Sequence, residues 1–220
     1  MIEFDACFTK DHVVVLLHDD KVDRTSNGTG NLYEKTFDEV RALDFGSYMG
    51  EQFAGTKIPT LEEALAVMPR NVWLNIHITQ RNNGMTPDDF RKLAVKVADA
   101  VVADGRERQA FLATDHLMAD AILAKYPQFL ICNMERQGGA SVYVNDTIER
   151  KCQFIQIARP MVTPGEVKRL KDAGIAINFF GTNDPEEMRE LIAQGVDFPL
   201  VDNVPLGMET YRQIKGEKGE

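Results

Sequence analysis

Glu3 and Asp5 in the opening run IEFDACF, His18 at the end of VVVLLH, and His77 within NVWLNIHI are the side chains whose types and spacing suit chemistry. Alternate residues of a strand share a face, so Glu3 and Asp5 point one way while Ile2, Phe4 and Ala6 point the other. In 71–79 the same rule groups Trp73, Asn75, His77 and Thr79 against Val72, Leu74, Ile76 and Ile78. Two carboxylates and an imidazole gathered at one point can hold a divalent cation, and a second imidazole beside them can move a proton near neutral pH. Taken singly, each is ordinary. An E-x-D pair on a strand is mostly a solvated or salt-bridged pair, and a histidine in an apolar strand is mostly a satisfied core residue. Only a fold that converges them makes a site.

From about residue 58 the chain alternates β-rich runs with longer amphipathic ones. The runs are 71–78, 109–114, 129–133, 153–158, 175–180 and 198–202. Between them lie helical stretches at 86–104, 115–126, 141–150, 163–173 and 183–194, with a last helix at about 205–214. That order implies an α/β fold built from parallel βαβ units. Helix starts are marked by a capping box at Thr60 and Glu63, by the pairs Thr86 with Pro87 and Thr163 with Pro164, and by Asp184, Glu186 and Glu187 in the first turn of the helix from Asn183.

The first sixty residues follow another rule. Runs 1–9 and 13–18 are too close for a parallel crossover, which takes about a dozen residues, so they form a hairpin. A turn near Asp11 and His12 sets Asp5 roughly opposite His18 and Glu3 roughly opposite Asp20. TSNGTG at 25–30 is a turn-rich loop, and 37–43 is a short helix within an excursion spanning about 19–57. The count is seven parallel strands plus the hairpin return. A TIM (β/α) barrel has eight, so one strand and its helix are expected to precede Met1. Residues 1–214 are expected to form a single barrel domain, with 215–220 (KGEKGE) a disordered tail. In that barrel Glu3, Asp5 and His77 meet at the C-terminal ends of neighbouring strands, with His18 brought beside them.

A formal net charge of −9 argues against nucleic-acid and anionic-membrane partners. No run approaches the ~18 apolar residues of a membrane span. Cys7, Cys132 and Cys152 have no metal-knuckle or CxxC spacing and read as reduced thiols of a cytoplasmic protein. No signal peptide is present, although one could precede the segment that begins at Met1.

IEFDACFTKD, VVVLLHDDKVDRTSNGTG and KIPTLEEAL, in that order, resemble the signature of the glycerophosphodiester phosphodiesterases, which have a phospholipase-C-like TIM barrel. NDPEEMRELIAQGVDFPLVDNVP is similar to that family's closing helix and last strand. The resemblance implies metal-dependent hydrolysis of a small glycerophosphodiester to glycerol 3-phosphate and an alcohol. Glu3 and Asp5 would be ligands of Ca²⁺ or Mg²⁺, and His18 one of two acid–base histidines. The sequence departs from the family at three places. The His-Arg-Gly strand, with its other histidine and its arginine, is not in this chain. The family's E-x-K on the third strand reads His77 and Thr79 here, which retains a ligand but shifts preference toward Mn²⁺, Zn²⁺ or Co²⁺. The turn glycine is His12.

Asp115, Glu135, Arg136, Gln156, Arg159, Asn178 and Asp202 fall at strand ends, and most of them read as rim residues in loop contacts. Arg159, Glu135 and Asn178 are the expected substrate-binding residues, with Arg136 a further substitute for the lost cationic contacts. Without the His-Arg-Gly strand, weak hydrolysis is expected. The exposed barrel edges are expected either to approach each other or to be covered by a second copy in a homodimer. The competing reading is a catalytically degenerate barrel that binds a phosphate-containing small molecule. A lyase releasing a cyclic phosphate is a third.

Overall fold

A computed structural model describes residues 1–78, 84–136, 138–158 and 163–216. They contain eight strands and eight α-helices; two of these helices follow the N-terminal hairpin, and from the third strand onward strands and helices alternate. The chain divides into two compact units, Met1–Leu130 and Ile131–Glu220.

In the first unit β1 (Ile2–Phe8) pairs antiparallel with β2 (Val14–Leu16) and parallel with β3 (Leu74–His77), which pairs parallel with β4 (Ala110–Thr114). Glu3 stands opposite Asn75 and Asp5 opposite His77. The helices are α1 (Phe37–Ala42), α2 (Leu61–Val67), α3 (Pro87–Ala103) and α4 (His116–Lys125). The first three begin with capping boxes, Thr36 with Glu39, Thr60 with Glu63 and Thr86 with Asp89. In each, the threonine oxygen accepts the N–H three residues on, and that residue's carboxylate accepts the threonine's own N–H. Two of the donors that every helix start leaves orphaned are thereby satisfied. Phe90, Leu93, Ala94, Val97, Ala98 and Val101 form the buried stripe of α3 at three- and four-residue spacing. The C-terminal carbonyls of α2 are met by Arg106, which is 1% exposed and donates to Leu65, Met68 and Pro69.

The hairpin forms, but its register is one residue off the expected one. Ala6 faces Leu16 and Phe8 faces Val14, and the Leu17 N–H donates to the Asp5 carbonyl at 3.2 Å. Asp5 therefore meets Leu17, not His18. The cause lies in the turn. Thr9 N–H closes on the Val13 carbonyl at 3.1 Å, while His12 adopts a left-handed conformation with φ 61°. Asp11 knits the turn by accepting from the Thr9 hydroxyl at 2.6 Å and from the Phe37 N–H at 2.9 Å. His12 occupies the place of the expected glycine and offsets the cost of its positive φ by stacking on Phe8, centroids 5.1 Å apart.

Val22, Leu32 and Val40 of the excursion share a small core with the flanking Val15, Leu17 and Ile58, and Phe37, Leu43 and Phe45 pack against it. Asp44 pins the far end of the excursion by accepting from the Ser47 hydroxyl and the N–H groups of Gly46, Ser47 and Gly55. The Ser47 hydroxyl and then these backbone donors hold the Asp44 carboxyl well below the usual range. Gly46 is required there, because a Cβ would sit 1.8 Å from the Phe53 carbonyl oxygen.

In the second unit β5 (Leu130–Asn133, starting at the boundary), β6 (Phe154–Ile157), β7 (Ala176–Phe179) and β8 (Phe198–Pro199) pair in order and in parallel. The helices are α5 (Ala140–Glu149), α6 (Pro164–Asp172), α7 (Pro185–Ala193) and α8 (Val204–Lys215). Ile155, Ile157, Ile177 and Phe179 of the sheet bury against Tyr143, Val144, Val167, Leu170 and Leu191 of the helices. Thr163 caps α6 as expected. Helix α7 starts later than expected, with Asp184 as cap and Pro185 at the first helical position. Asn183 instead accepts the N–H groups of Asp202 and Asn203 at 2.8 and 3.1 Å.

Candidate functional site

Strand register delivers the first cluster. Glu3 and Asp5 on β1 and Asn75 and His77 on β3 project to one face of the sheet. His77 Nδ1 lies 3.0 Å from Asp5 Oδ1 and 3.8 Å from Glu3 Oε1. One ligand atom from each of the three falls within 4.8 Å of the others. Asp5 is 8% exposed and the side chains of His77 and Glu3 are 15% and 22% exposed, so this is a polar cluster set into the protein rather than on it.

A cation with ligand distances of about 2.0–2.5 Å fits between atoms so spaced. Two hard carboxylates and one imidazole make a donor set suited to a divalent ion. The surroundings agree. His77 Nε2 is buried with no hydrogen-bond partner among the described residues, and so are both amide atoms of Asn75. Buried polar atoms in that condition mark a place for an ion or for ordered water. Asn75 was seen in the sequence only as sharing the inward face. It stands beside Glu3 in the register and on the same face as the cluster.

His18 is placed differently. It follows Leu17, the residue whose N–H meets the Asp5 carbonyl, and its side chain is 59% exposed. Its Nδ1 lies 2.7 Å from Asp19 Oδ1. Arg24 grips the same carboxylate with Nε on Oδ2 at 2.6 Å and Nη2 on Oδ1 at 3.0 Å. The Arg24 guanidinium, and then His18, hold the Asp19 carboxyl well below its usual range. Asp19 and Arg24 fall within the run VVVLLHDDKVDRTSNGTG, but sequence reasoning assigned neither a role, because the pairing of an acid and a base five residues apart in a loop carries no signal of its own.

In the second unit Glu135 follows β5, half-buried, its N–H donating to Asn133 Oδ1 at 2.9 Å. Asn178 is buried on β7 with Nδ2 3.4 Å from Gln156 Oε1, and its Oδ1 has no partner among the described residues. Asp115 caps α4, and Asp202 accepts from Asn183 Nδ2 at 2.9 Å. These last two are the loop and cap contacts expected of rim residues. Arg159 and Thr79 lie outside the described residues. No described helix is long and apolar enough to cross a membrane.

Comparison with known proteins shows the family and the fold. The glycerophosphoryl diester phosphodiesterase family matches residues 1–206. A glycerophosphodiester phosphodiesterase of Caldanaerobacter subterraneus is 44% identical over 203 residues, 92% of this chain and 82% of that protein. YhdW of Bacillus subtilis is 45% identical over 78 residues, so that match spans 36% of this chain and 32% of YhdW. Among solved structures, an Oleispira antarctica phosphodiesterase in complex with the product sn-glycerol-3-phosphate superposes with a TM-score of 0.79 at 21% identity, covering 95% of this chain and 83% of that one. The fold is thus α/β of the TIM (β/α)-barrel type, and the chain belongs to the glycerophosphoryl diester phosphodiesterase family, a family of hydrolases.

Proposed function

We propose that this chain hydrolyses small glycerophosphodiesters to glycerol 3-phosphate and an alcohol, with a divalent cation held by Glu3, Asp5 and His77. The observation that carries the reading is the convergence of those three ligand atoms within 4.8 Å on adjacent strands. A cation there would neutralise the anionic diester and polarise its oxygens. The imidazole of His77 moves the preference from Ca²⁺ or Mg²⁺ toward Mn²⁺, Zn²⁺ or Co²⁺. His18, with Nδ1 on Asp19, offers Nε2 to the departing alkoxide as proton donor. Substrate binding falls in this reading to Arg159, whose guanidinium would donate to phosphoryl oxygens, and to Glu135 and Asn178, whose oxygens would accept from glycerol hydroxyls. A homodimer and a cytoplasmic setting complete the reading, the latter supported by Cys7, Cys132 and Cys152 being outside any disulfide.

One observation favours a second reading. His77 Nδ1 and Asp5 Oδ1 are at hydrogen-bond distance, 3.0 Å, so the cluster can also close on itself, as a binding barrel without turnover would require. The assay that decides uses glycerophosphocholine and glycerophosphoethanolamine with chelated chain, then with Mn²⁺, Zn²⁺, Co²⁺, Ca²⁺ or Mg²⁺ restored. Metal-restored release of glycerol 3-phosphate is expected. Binding of the diesters without release under any metal establishes the second reading, and a cyclic phosphate product establishes a lyase.

A further inference from the structure

We infer that Asp19 and Arg24 are positioning residues for His18: the Arg24-clamped Asp19 carboxylate keeps the imidazole proton on Nδ1 and leaves Nε2 as the nitrogen that exchanges a proton with substrate. The tautomer follows from geometry alone, and the consequence for turnover rests on the proposed hydrolysis. An imidazole 59% exposed to solvent has no fold-imposed orientation, and in water its proton distributes between two nitrogens. A carboxylate has only acceptor capacity, so at 2.7 Å from Nδ1 it selects the form that carries the proton there.

A neighbour in sequence could rotate away, and Arg24 removes that freedom. Its planar fork engages both Asp19 oxygens, at 2.6 and 3.0 Å. Arg24 is delivered from a closed loop. The Leu32 N–H meets the Asp20 carbonyl at 2.8 Å, the Val22 N–H meets Gly30 at 3.1 Å, Lys21 bridges to Asn31, and the Gly30 N–H meets Asp23 Oδ2 at 2.8 Å. Val22 is fully buried beneath it. An ion pair with an arginine 60% exposed adds little to stability, so its worth lies in where it holds Asp19. The turn-rich loop TSNGTG acquires a task by the same account: it closes the ring that carries Arg24. During hydrolysis the phosphorus–alkoxide bond breaks as the imidazolium, which carries a proton on both nitrogens, releases its Nε2 proton to the alkoxide oxygen and is left in the Nδ1–H form that Asp19 holds. Water supplies the new oxygen on phosphorus and the proton that restores His18. Asp19 exchanges none.

Long-range proton–nitrogen correlation spectra of the ¹⁵N-labelled chain at a pH where His18 is neutral test this, with His18→Gln assigning its signals. The parent is expected to show a protonated Nδ1 and a bare Nε2. Asp19→Ala and Arg24→Ala are expected to move His18 toward a mixture of tautomers and to lower kcat for glycerophosphocholine by roughly ten- to a hundredfold with KM nearly unchanged. Arg24→Lys, which keeps the charge without the fork, should rescue only part. Thermal midpoints close to the parent's separate these effects from unfolding. A parent with its proton on Nε2, or an Asp19→Ala chain with unchanged tautomer and kcat, overturns the inference. A parent inert toward both diesters overturns the proposed function, and the positioning role with it, even where the spectra stand.

Discussion

His77 and His18 belong to the same unit and are held in opposite ways. His77 sits on a strand, 15% exposed, and its orientation is dictated by parity and by the pairing of Asp5 with His77. His18 is 59% exposed beyond the end of β2, and its orientation is dictated by a side chain that another side chain holds. Backbone register costs nothing beyond folding itself and cannot be lost without losing the sheet. A side-chain clamp can be removed piecemeal while the fold survives. A cluster that must offer several ligand atoms to one ion needs the first kind of constraint. A proton-transferring group that must approach a reacting oxygen is served by the second.

The strongest way to break that comparison is Asp5→Ala. It removes the most buried of the three proposed ligands in the strand-held cluster and should abolish divalent binding in calorimetry. Turnover should fall by roughly 10³-fold or more, since a Lewis-acidic cation supplies several kcal/mol of charge stabilisation. Retained metal affinity would show that the cluster is not the cation site. His18→Ala is expected to cost about 10²–10³ in kcat, the usual contribution of one acid–base group, while leaving the calorimetric metal isotherm as it was. A variant that loses metal and turnover together would erase the division of labour between the two histidines. His77→Glu sharpens the comparison from within the strand-held cluster. Replacing nitrogen by carboxylate on the same strand position should favour Ca²⁺ or Mg²⁺ over Zn²⁺ by about tenfold relative to the parent. An unchanged metal order would mean that His77 does not bind the ion.

How much of this is readable in the sequence follows the same division. Strand parity at Glu3, Asp5 and His77 is a local rule, and the register of β1 with β3 obeys it. The capping box at Thr60 and the capping hydroxyl of Thr86 before Pro87 are likewise local and appear where the residues place them. The hairpin register lies one residue from the approximate one that the turn position implies, because it depends on the left-handed His12 and on Asp11 reaching Phe37, a contact 26 residues away. Asn183 reads as a helix start, yet its side chain serves residues 202 and 203. The Asp19–Arg24 clamp is a rotamer-level fact with no periodic signature. Asn75 is legible as inward-facing, but not as a buried amide whose atoms lack described partners. Local rules carry the strand-held part of the site, and non-local side-chain choices carry the rest.

The smallest predicted effect leaves both histidines in place. Asp89 closes the capping box of α3, accepting from the Thr86 hydroxyl at 2.7 Å, the Thr86 N–H at 3.0 Å and the Tyr33 hydroxyl at 3.1 Å, and lying 3.6 Å from His12 Nε2 in the hairpin turn. The Thr86 bonds chiefly, against the opposing effect of burial, bring its carboxyl down to about 2 from a usual 3.8. A carboxyl with a depressed folded value binds its proton more readily when unfolded, so its contribution is complete above about pH 4 and is lost as pH falls toward 2. With its side chain only 10% exposed, that contribution is on the order of 1–2 kcal/mol. Asp44, Asp19 and Glu63 are also held low, so the acid limb of the parent alone does not isolate Asp89. The difference between parent and Asp89→Asn does. Urea midpoints should differ most at pH 7, converge between pH 4 and 2, and leave kcat at pH 7 unchanged. A stability gap of equal size at every pH would show that Asp89 acts through packing rather than charge. A fall in kcat would show that the turn holding His12 is coupled to the strand-held cluster.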